Sequence, residues 1–263
     1  IHGIAEFVER YDAFARYLNG LGYLVVAEDH MGHGQSINGD GIQGYFHGCW
    51  FSAVADTYRL LEDTKREYPE IPYILFGHSM GSFMARTILC DYPDSDISGA
   101  VICGTGWQPT FALPALVKVI DGICKKKGEE KPNEMLQKMI FGGYNKKVEH
   151  PRTDFDWLTR DNAIVDAYIA HPLCGFTGSA GLLREMMKGI HYIQKVCGYL
   201  AVLGEVLAGT NVHTTVYLTA VGRDYLARFP LRRKGTGKFN GKFCLAAGCW
   251  AKYAYRIPVP MFY

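Results

Sequence analysis

At 263 residues, 48% of them hydrophobic and 21% charged, the chain has the composition of an ordinary folded protein with a full core. A formal net charge of +2 is too small to point to nucleic acid or a strongly anionic surface as partner. Eight scattered cysteines with no Cys-x-x-Cys pair match neither a disulfide framework nor a zinc site; with no apolar run of bilayer length and no leader pattern, they favour reduced thiols and a cytoplasmic location.

The chain opens on Ile1-His2-Gly3, already at a functional-looking turn, so the N-terminal strands of the fold are expected to be missing. From Glu9 to Leu21, Phe14, Tyr17, Leu18 and Leu21 recur at helical spacing, and the uniformly apolar Tyr23–Ala27 predicts a short buried strand. The turn Asp29-His30-Met31-Gly32-His33-Gly34-Gln35-Ser36 closes that strand. A helix is predicted from about Phe51 to Tyr68, with Ala53, Val54, Tyr58, Leu61 and Thr64 on one side and Pro69 and Pro72 as its stop. Tyr73–Phe76 predicts a second buried strand, a helix to about Asp91 follows, and Ser98–Cys103 predicts a third strand. Such alternation implies an α/β fold with a mostly parallel sheet and helices on both faces.

Between about Gly104 and Phe176 the alternation gives way to helical, Lys-rich sequence studded with aromatic residues, which predicts a helical cap insertion. Its helices are expected over Leu113–Cys124, Glu134–Ile140 and Asn162–Ala170. Ser179–Ile193 is the predicted return helix. Its stripe of Leu182, Leu183, Met186, Met187 and Ile190 reads first as core, while Leu182 or Met186 would alternatively line an acyl pocket. The expected organisation is therefore a core over 1–103, a cap over 104–176, a return helix over 177–195 and an atypical segment over 196–263.

The chemistry-bearing motif is Gly77-His78-Ser79-Met80-Gly81, which follows an apolar strand and precedes an amphipathic run. This is the setting of a nucleophile elbow, in which Ser79 stands exposed at a sharp strand-to-helix corner. Gly77 and Gly81 allow strand and helix to approach closely. An oxyanion hole would take the Met80 N–H as one donor and the Ile4 N–H, from the loop opened by Gly3, as the other. His2 reads as a histidine bracing that loop, and His78 as one that packs and hydrogen-bonds locally beside the elbow. No histidine or cysteine spacing suits a metal, and Gly32-His33-Gly34 is too short for a dinucleotide fingerprint, so no cofactor is expected.

Taken together, His2-Gly3-Ile4-Ala5-Glu6 with Arg10-Tyr11, then Asp29–Ser36, the elbow, Asp154–Asp161 (Asp-Phe-Asp-Trp-Leu-Thr-Arg-Asp) and Pro172-Leu173-Cys174-Gly175-Phe176 resemble the monoacylglycerol lipase and lysophospholipase branch of the α/β-hydrolases, also known as the serine aminopeptidase S33 type. The resemblance covers roughly residues 1–194. It implies an α/β-hydrolase fold and a serine hydrolase that cleaves small lipid esters, monoacylglycerols or lysophospholipids, through an acyl-enzyme on Ser79. The cap would receive the acyl chain. Its apolar residues Trp107, Phe111, Leu113 and Leu116 would offer transient contact with a membrane surface or, at helical spacing, simply pack inward. An aminopeptidase or another esterase is the alternative on the same fold.

The resemblance also implies a late Gly-Asp-x-Asp-Pro aspartate and a histidine near the C-terminus, and neither motif is present. Asp224, which follows a strand-like stretch in the run Thr214–Asp224, and His213 are the weak candidates, in reversed order. His171 stands where the pattern has an acidic residue and reads as a surface change. Of the 26 acidic residues, 24 precede residue 196, and the remaining segment carries nine Lys and Arg. A slipped reading frame after about Lys195 would produce this, as would a diverged terminus; a catalytically impaired or non-catalytic hydrolase-like protein is the corresponding alternative.

Overall fold

The computed structural model describes residues 1–37, 41–206 and 215–220, with side chains described for 1–37, 41–146 and 148–195. A short 3-10 turn, Val8–Tyr11, leads into helix α1 (Asp12–Gly20). Helix α2 (Trp50–Glu67), strand β1 (Tyr73–His78), helix α3 (Met80–Asp91) and strand β2 (Ile97–Thr105) then alternate as expected. Helices α4 (Leu113–Lys127), α5 (Glu134–Phe141) and α6 (Asn162–Ala170) follow before the long α7 (Ala180–Val206) and strand β3 (Thr215–Ala220). The three strands are parallel in the order β1-β2-β3, with Leu75 opposite Ala100 and Ala100 opposite Val216. Parallel strands need crossovers, and α3 supplies the one from β1 to β2.

Helix boundaries follow local chemistry. The Asn133 side chain accepts the Leu136 N–H at 3.0 Å to start α5, and Asp161 accepts the Ala163 N–H at 2.9 Å to start α6. Helix α4 carries Pro114 in its first turn, three lysines in its last and Gly128 at φ +90 beyond it. Helix α3 is buried from Met80 to Ile88, because it packs against β1 and β2 on one side and α7 on another. Met84, Ile88, Ile102, Leu182, Leu183 and Met187 are fully enclosed in that core. Leu182 and Met186 thus belong to the core stripe.

The insertion between β2 and α7 is tied down by charge as well as by packing. Arg184 of α7 pairs with Glu129 at 2.8 Å, and Glu129 also accepts the Tyr45 hydroxyl at 2.7 Å. Buried Glu185 accepts the Trp50 N–H and the Lys188 ammonium, while the Trp50 indole donates to Thr87 at 3.0 Å. Of the apolar residues at the start of the insertion, Phe111 is 87% exposed and Trp107 about half, whereas Leu113 points into the core.

Two expectations are corrected. Tyr23–Ala27 is not a strand: it runs as unpaired chain, with Tyr23 46% and Leu24 49% exposed. An apolar run becomes a strand only beside a partner ladder, and among the described residues none lies alongside it. His171 is not a free surface position, since its ring stacks on Phe7 at 4.5 Å and its Nδ1 accepts the Leu173 N–H at 3.2 Å. Among the described residues, no helix is long and apolar enough to cross a membrane.

The packing of α7 on α2 is tight at Gly189, where a Cβ would lie 2.3 Å from the Trp50 ring. Gly189→Ala is expected to destabilise the fold by about 1–3 kcal/mol through overpacking. A urea unfolding midpoint equal to that of the parent protein would contradict this contact.

Candidate active site

Ser79 sits between the last residue of β1 and the first of α3 with φ 51 and ψ −119, in a region that costs a non-glycine residue about 1–3 kcal/mol. Its surroundings hold it there. The Ser79 N–H donates to the Cys103 carbonyl of β2 at 3.0 Å, and the Ser79 carbonyl accepts the Ser82 N–H at 2.9 Å. A Cβ on Gly77 would lie 2.5 Å from the Gly81 carbonyl oxygen, and one on Gly81 would lie 2.2 Å from that of Ile1. Both positions therefore require glycine. The Ser79 side chain is half-buried, and its hydroxyl has no hydrogen-bond partner among the described residues.

The loop His2-Gly3-Ile4-Ala5 crosses above this corner. A Cβ on Gly3 would meet the Ser79 Cβ at 3.0 Å, so only glycine lets the backbone pass so close to the serine. The Gly3 carbonyl accepts the His2 Nδ1–H at 2.7 Å. In a trans peptide the carbonyl and the following N–H point to opposite sides, so this bond fixes the direction of the Ile4 N–H. Met80, as the first residue of α3, presents an N–H with no intrahelical acceptor. The Ile4 N–H, from the loop, and the Met80 N–H, from the start of α3, are thus carried by the two segments that meet at Ser79.

Behind the loop, Glu6 is buried and receives four groups. Its Oε1 accepts the Gly3 N–H at 2.5 Å and the Tyr11 hydroxyl at 2.8 Å and faces His78 Nδ1 at 3.1 Å, while Oε2 pairs with Arg10. Burial opposes its charge, but the His78 hydrogen bond and the nearby Arg10 and His2 outweigh it and hold the carboxyl down at about 2. His78 is therefore turned to Glu6 and Tyr11, the latter at 2.9 Å. The sequence placed Glu6, Arg10 and Tyr11 in a motif without roles; the signal that identifies them is their burial and convergence.

The turn Asp29–Ser36 backs the same loop. Asp29 accepts the Val8 N–H and the Gln35 N–H, each at 2.7 Å. The His30 N–H donates to His2 Nε2 at 3.1 Å, which requires the neutral Nδ1–H form of His2 that also serves the Gly3 carbonyl. His2, His30 and His33 form one buried group, with ring centroids 4.1 Å apart for His2 and His30 and 5.3 Å for His2 and His33. Burial pushes His2 down to about 3 and His33 to about 4, and His30 well below its ordinary value. Among the described residues no group of three potential ligands could hold a metal ion.

No described histidine stands within hydrogen-bond reach of the Ser79 hydroxyl. The weak candidates His213 and Asp224 lie outside the described residues. What the described part assembles is a strained serine and a hydrogen-bonded loop held closely against it.

The family described as serine aminopeptidase, S33 (Hydrolase_4), matches residues 1–211. Human monoglyceride lipase is 38% identical over 177 residues, which are 65% of this chain and 50% of the human protein. The monoglyceride lipase homolog of monkeypox virus is 28% identical over 211 residues, 80% of this chain and 68% of the viral protein. The mouse enzyme is likewise matched over 50% of its length, so the chain spans about half the length of the two mammalian relatives. A thermostable carboxyl esterase from Bacillus coagulans superimposes with a TM-score of 0.67 at 23% identity, covering 82% of this chain and 79% of the esterase, and shares the fold.

The buried histidines set the acid limit of the protein. In the unfolded chain they take up protons near 6.5, whereas folded His33 resists until about 4 and His2 until about 3. The unfolded state therefore binds more protons across that interval, and stability falls as pH drops from about 6.5 towards 4. Glu6, lowered from 4.5 to about 2, adds a further loss below about 4.5. The urea midpoint should decline steadily from pH 7 to pH 4.5; a flat profile there would show that these imidazoles are not buried neutral.

Proposed function

Because the chain belongs to the serine aminopeptidase S33 family of α/β-hydrolases, within its monoglyceride lipase-like branch, we propose that it is a carboxylic ester hydrolase acting on small lipid esters, monoacylglycerols or lysophospholipids, through an acyl-enzyme on Ser79. The observation that carries this reading is Ser79 itself, held at positive φ with its Cβ so close to the passing loop that a Cβ on Gly3 would lie 3.0 Å from it. Attack of its oxygen on the ester carbonyl would place the developing oxyanion between the Ile4 and Met80 N–H groups. Collapse of the tetrahedral adduct expels the alcohol, and water attacking the acyl-Ser79 carbonyl releases the fatty acid and restores the serine. The serine proton passes to a base and from it to the departing alkoxide. Among the described residues no such base stands at Ser79, and the candidates that the sequence offers for base and acid, His213 and Asp224, lie outside them.

The supporting residues have separate parts. His2 fixes the Gly3–Ile4 peptide from behind, Glu6 holds the Gly3 N–H, His78 braces Glu6 from the elbow, and Gly77 and Gly81 admit the close approach of β1, α3 and the Ile1–His2 backbone. Residues 1–103 with 177–195 act as the core in this reading. The segment 104–176 acts as the cap, with exposed Trp107 and Phe111 as its contact with lipid. A lipid ester is favoured over an aminoacyl substrate by the relatives named monoglyceride lipase.

A fluorophosphonate probe should label Ser79, and Ser79→Ala should abolish both labelling and ester hydrolysis. Monoacylglycerol and short-acyl nitrophenyl esters should be hydrolysed well ahead of aminoacyl anilides; preference for the anilides would favour an aminopeptidase instead. Absence of labelling in a folded sample would sink the nucleophile assignment. Gly3→Ala, whose Cβ would lie 2.6 Å from Glu6 Oε1 and 3.0 Å from the Ser79 Cβ, should displace the loop. The expected cost is about 100-fold in kcat, the scale of a lost oxyanion donor, and an unchanged kcat would show that the loop supplies none.

A further inference from the structure

The segments Asp154–Asp161 and Pro172–Phe176 lie outside the chemistry at Ser79, yet they converge on the residue that follows Ile4. Ala5 is the second residue of the turn Ile4–Ala5 and has φ +55, a conformation that glycine adopts freely and a Cβ disfavours. Its carbonyl accepts two hydrogen bonds from the insertion: the Tyr168 hydroxyl of α6 at 2.8 Å and the Gly175 N–H at 2.9 Å. Gly175 itself holds φ +64, and a Cβ there would lie 3.2 Å from the Tyr168 ring. Tyr168 is buried with Phe7 and Cys174 in a small apolar cluster set apart from the main core, with Phe155, Leu158 and Leu173 around it.

The same tyrosine reaches the other side of the loop. The Arg10 guanidinium lies 4.8 Å over the Tyr168 ring and pairs with Glu6, whose Oε1 holds the Gly3 N–H. Ile4 is therefore bracketed, with Gly3 fixed by Glu6 and His2 and Ala5 fixed by Tyr168 and Gly175. With both neighbours held, the placement of the Ile4 backbone is fixed.

We infer that Tyr168 is a positioning residue: its hydroxyl, with the Gly175 N–H, grips the Ala5 carbonyl and keeps the left-handed turn that aims the Ile4 N–H at Ser79, so the insertion assembles the oxyanion hole. The inference rests on the reading of Ser79 as nucleophile and Ile4 as donor. Its consequence is that a displacement of α6 loosens the hole by releasing one carbonyl, which couples the placement of the cap to the readiness of the serine.

Tyr168→Phe in the full chain keeps the ring, the cluster and the Arg10 contact and removes only the hydroxyl. Ser79 phosphonylation by a fluorophosphonate should slow roughly three- to tenfold, the scale of one hydrogen bond. The backbone resonances of isotope-labelled Ala5, which report the sign of φ, should shift away from their positive-φ values. Leu158→Ala loosens the same cluster without touching the Ala5 carbonyl, so it should lower the melting temperature while leaving the labelling rate and the Ala5 resonances unchanged. A Tyr168→Phe protein with the parent rate and the parent Ala5 resonances overturns the inference, as does a Leu158→Ala protein slowed to the same degree. If the parent itself is not labelled, the nucleophile reading has failed, and the Ala5 resonances alone decide whether Tyr168 sets the loop.

Discussion

One buried carboxylate is the constraint on which the site depends. Glu6 has left water, a transfer that costs far more than any single contact returns unless the charge is fully partnered. Its four partners come from three places: the backbone of the loop at Gly3, the elbow at His78, and the turn before α1 at Arg10 and Tyr11. Each donor satisfies the carboxylate and is in turn located by it. The result is that strand β1, the loop above Ser79 and the entry to α1 have one relative placement, and the corner at Ser79 inherits it.

Two non-glycine residues at positive φ lie within this frame, Ser79 and Ala5. Each is strained, and each is held by hydrogen bonds at its own peptide groups: Ser79 by Cys103 and Ser82, Ala5 by Tyr168 and Gly175. Strain of this kind persists only where the surroundings over-determine it. Here it is concentrated on the corner at Ser79 and on the turn of the loop that passes beside it. The neutral histidines behind them add a second requirement, since His2 can serve the Gly3 carbonyl and accept the His30 N–H only in one tautomer.

How much of this was legible in the sequence depends on how local the physics is. The elbow was readable because a strand-to-helix corner needs small residues at positions 77 and 81, where a Cβ would lie 2.5 Å and 2.2 Å from backbone carbonyl oxygens. Helices α4, α5 and α6 were readable from apolar spacing, and the caps at Asn133 and Asp161 place two of their starts. Tyr23–Ala27 misled because the same apolar run describes a paired strand and an unpaired one, and pairing is a property of the partner. Glu6, Tyr11, His30 and Tyr168 were quoted or passed over without roles, because a polar residue becomes significant only through long-range burial and convergence. His171 was misread for the same reason, its stacking on Phe7 being invisible from either neighbourhood.

The central claim is that Ser79 takes an acyl group from a lipid ester. Intact-protein mass spectrometry of the full chain, acid-quenched during incubation with a monoacylglycerol and followed by peptide mapping, tests it most directly. The account expects a mass increment equal to the acyl group, confined to the peptide carrying Ser79. No increment at any quench time from a folded sample, or an increment on another side chain such as the exposed thiol of Cys49, would contradict it.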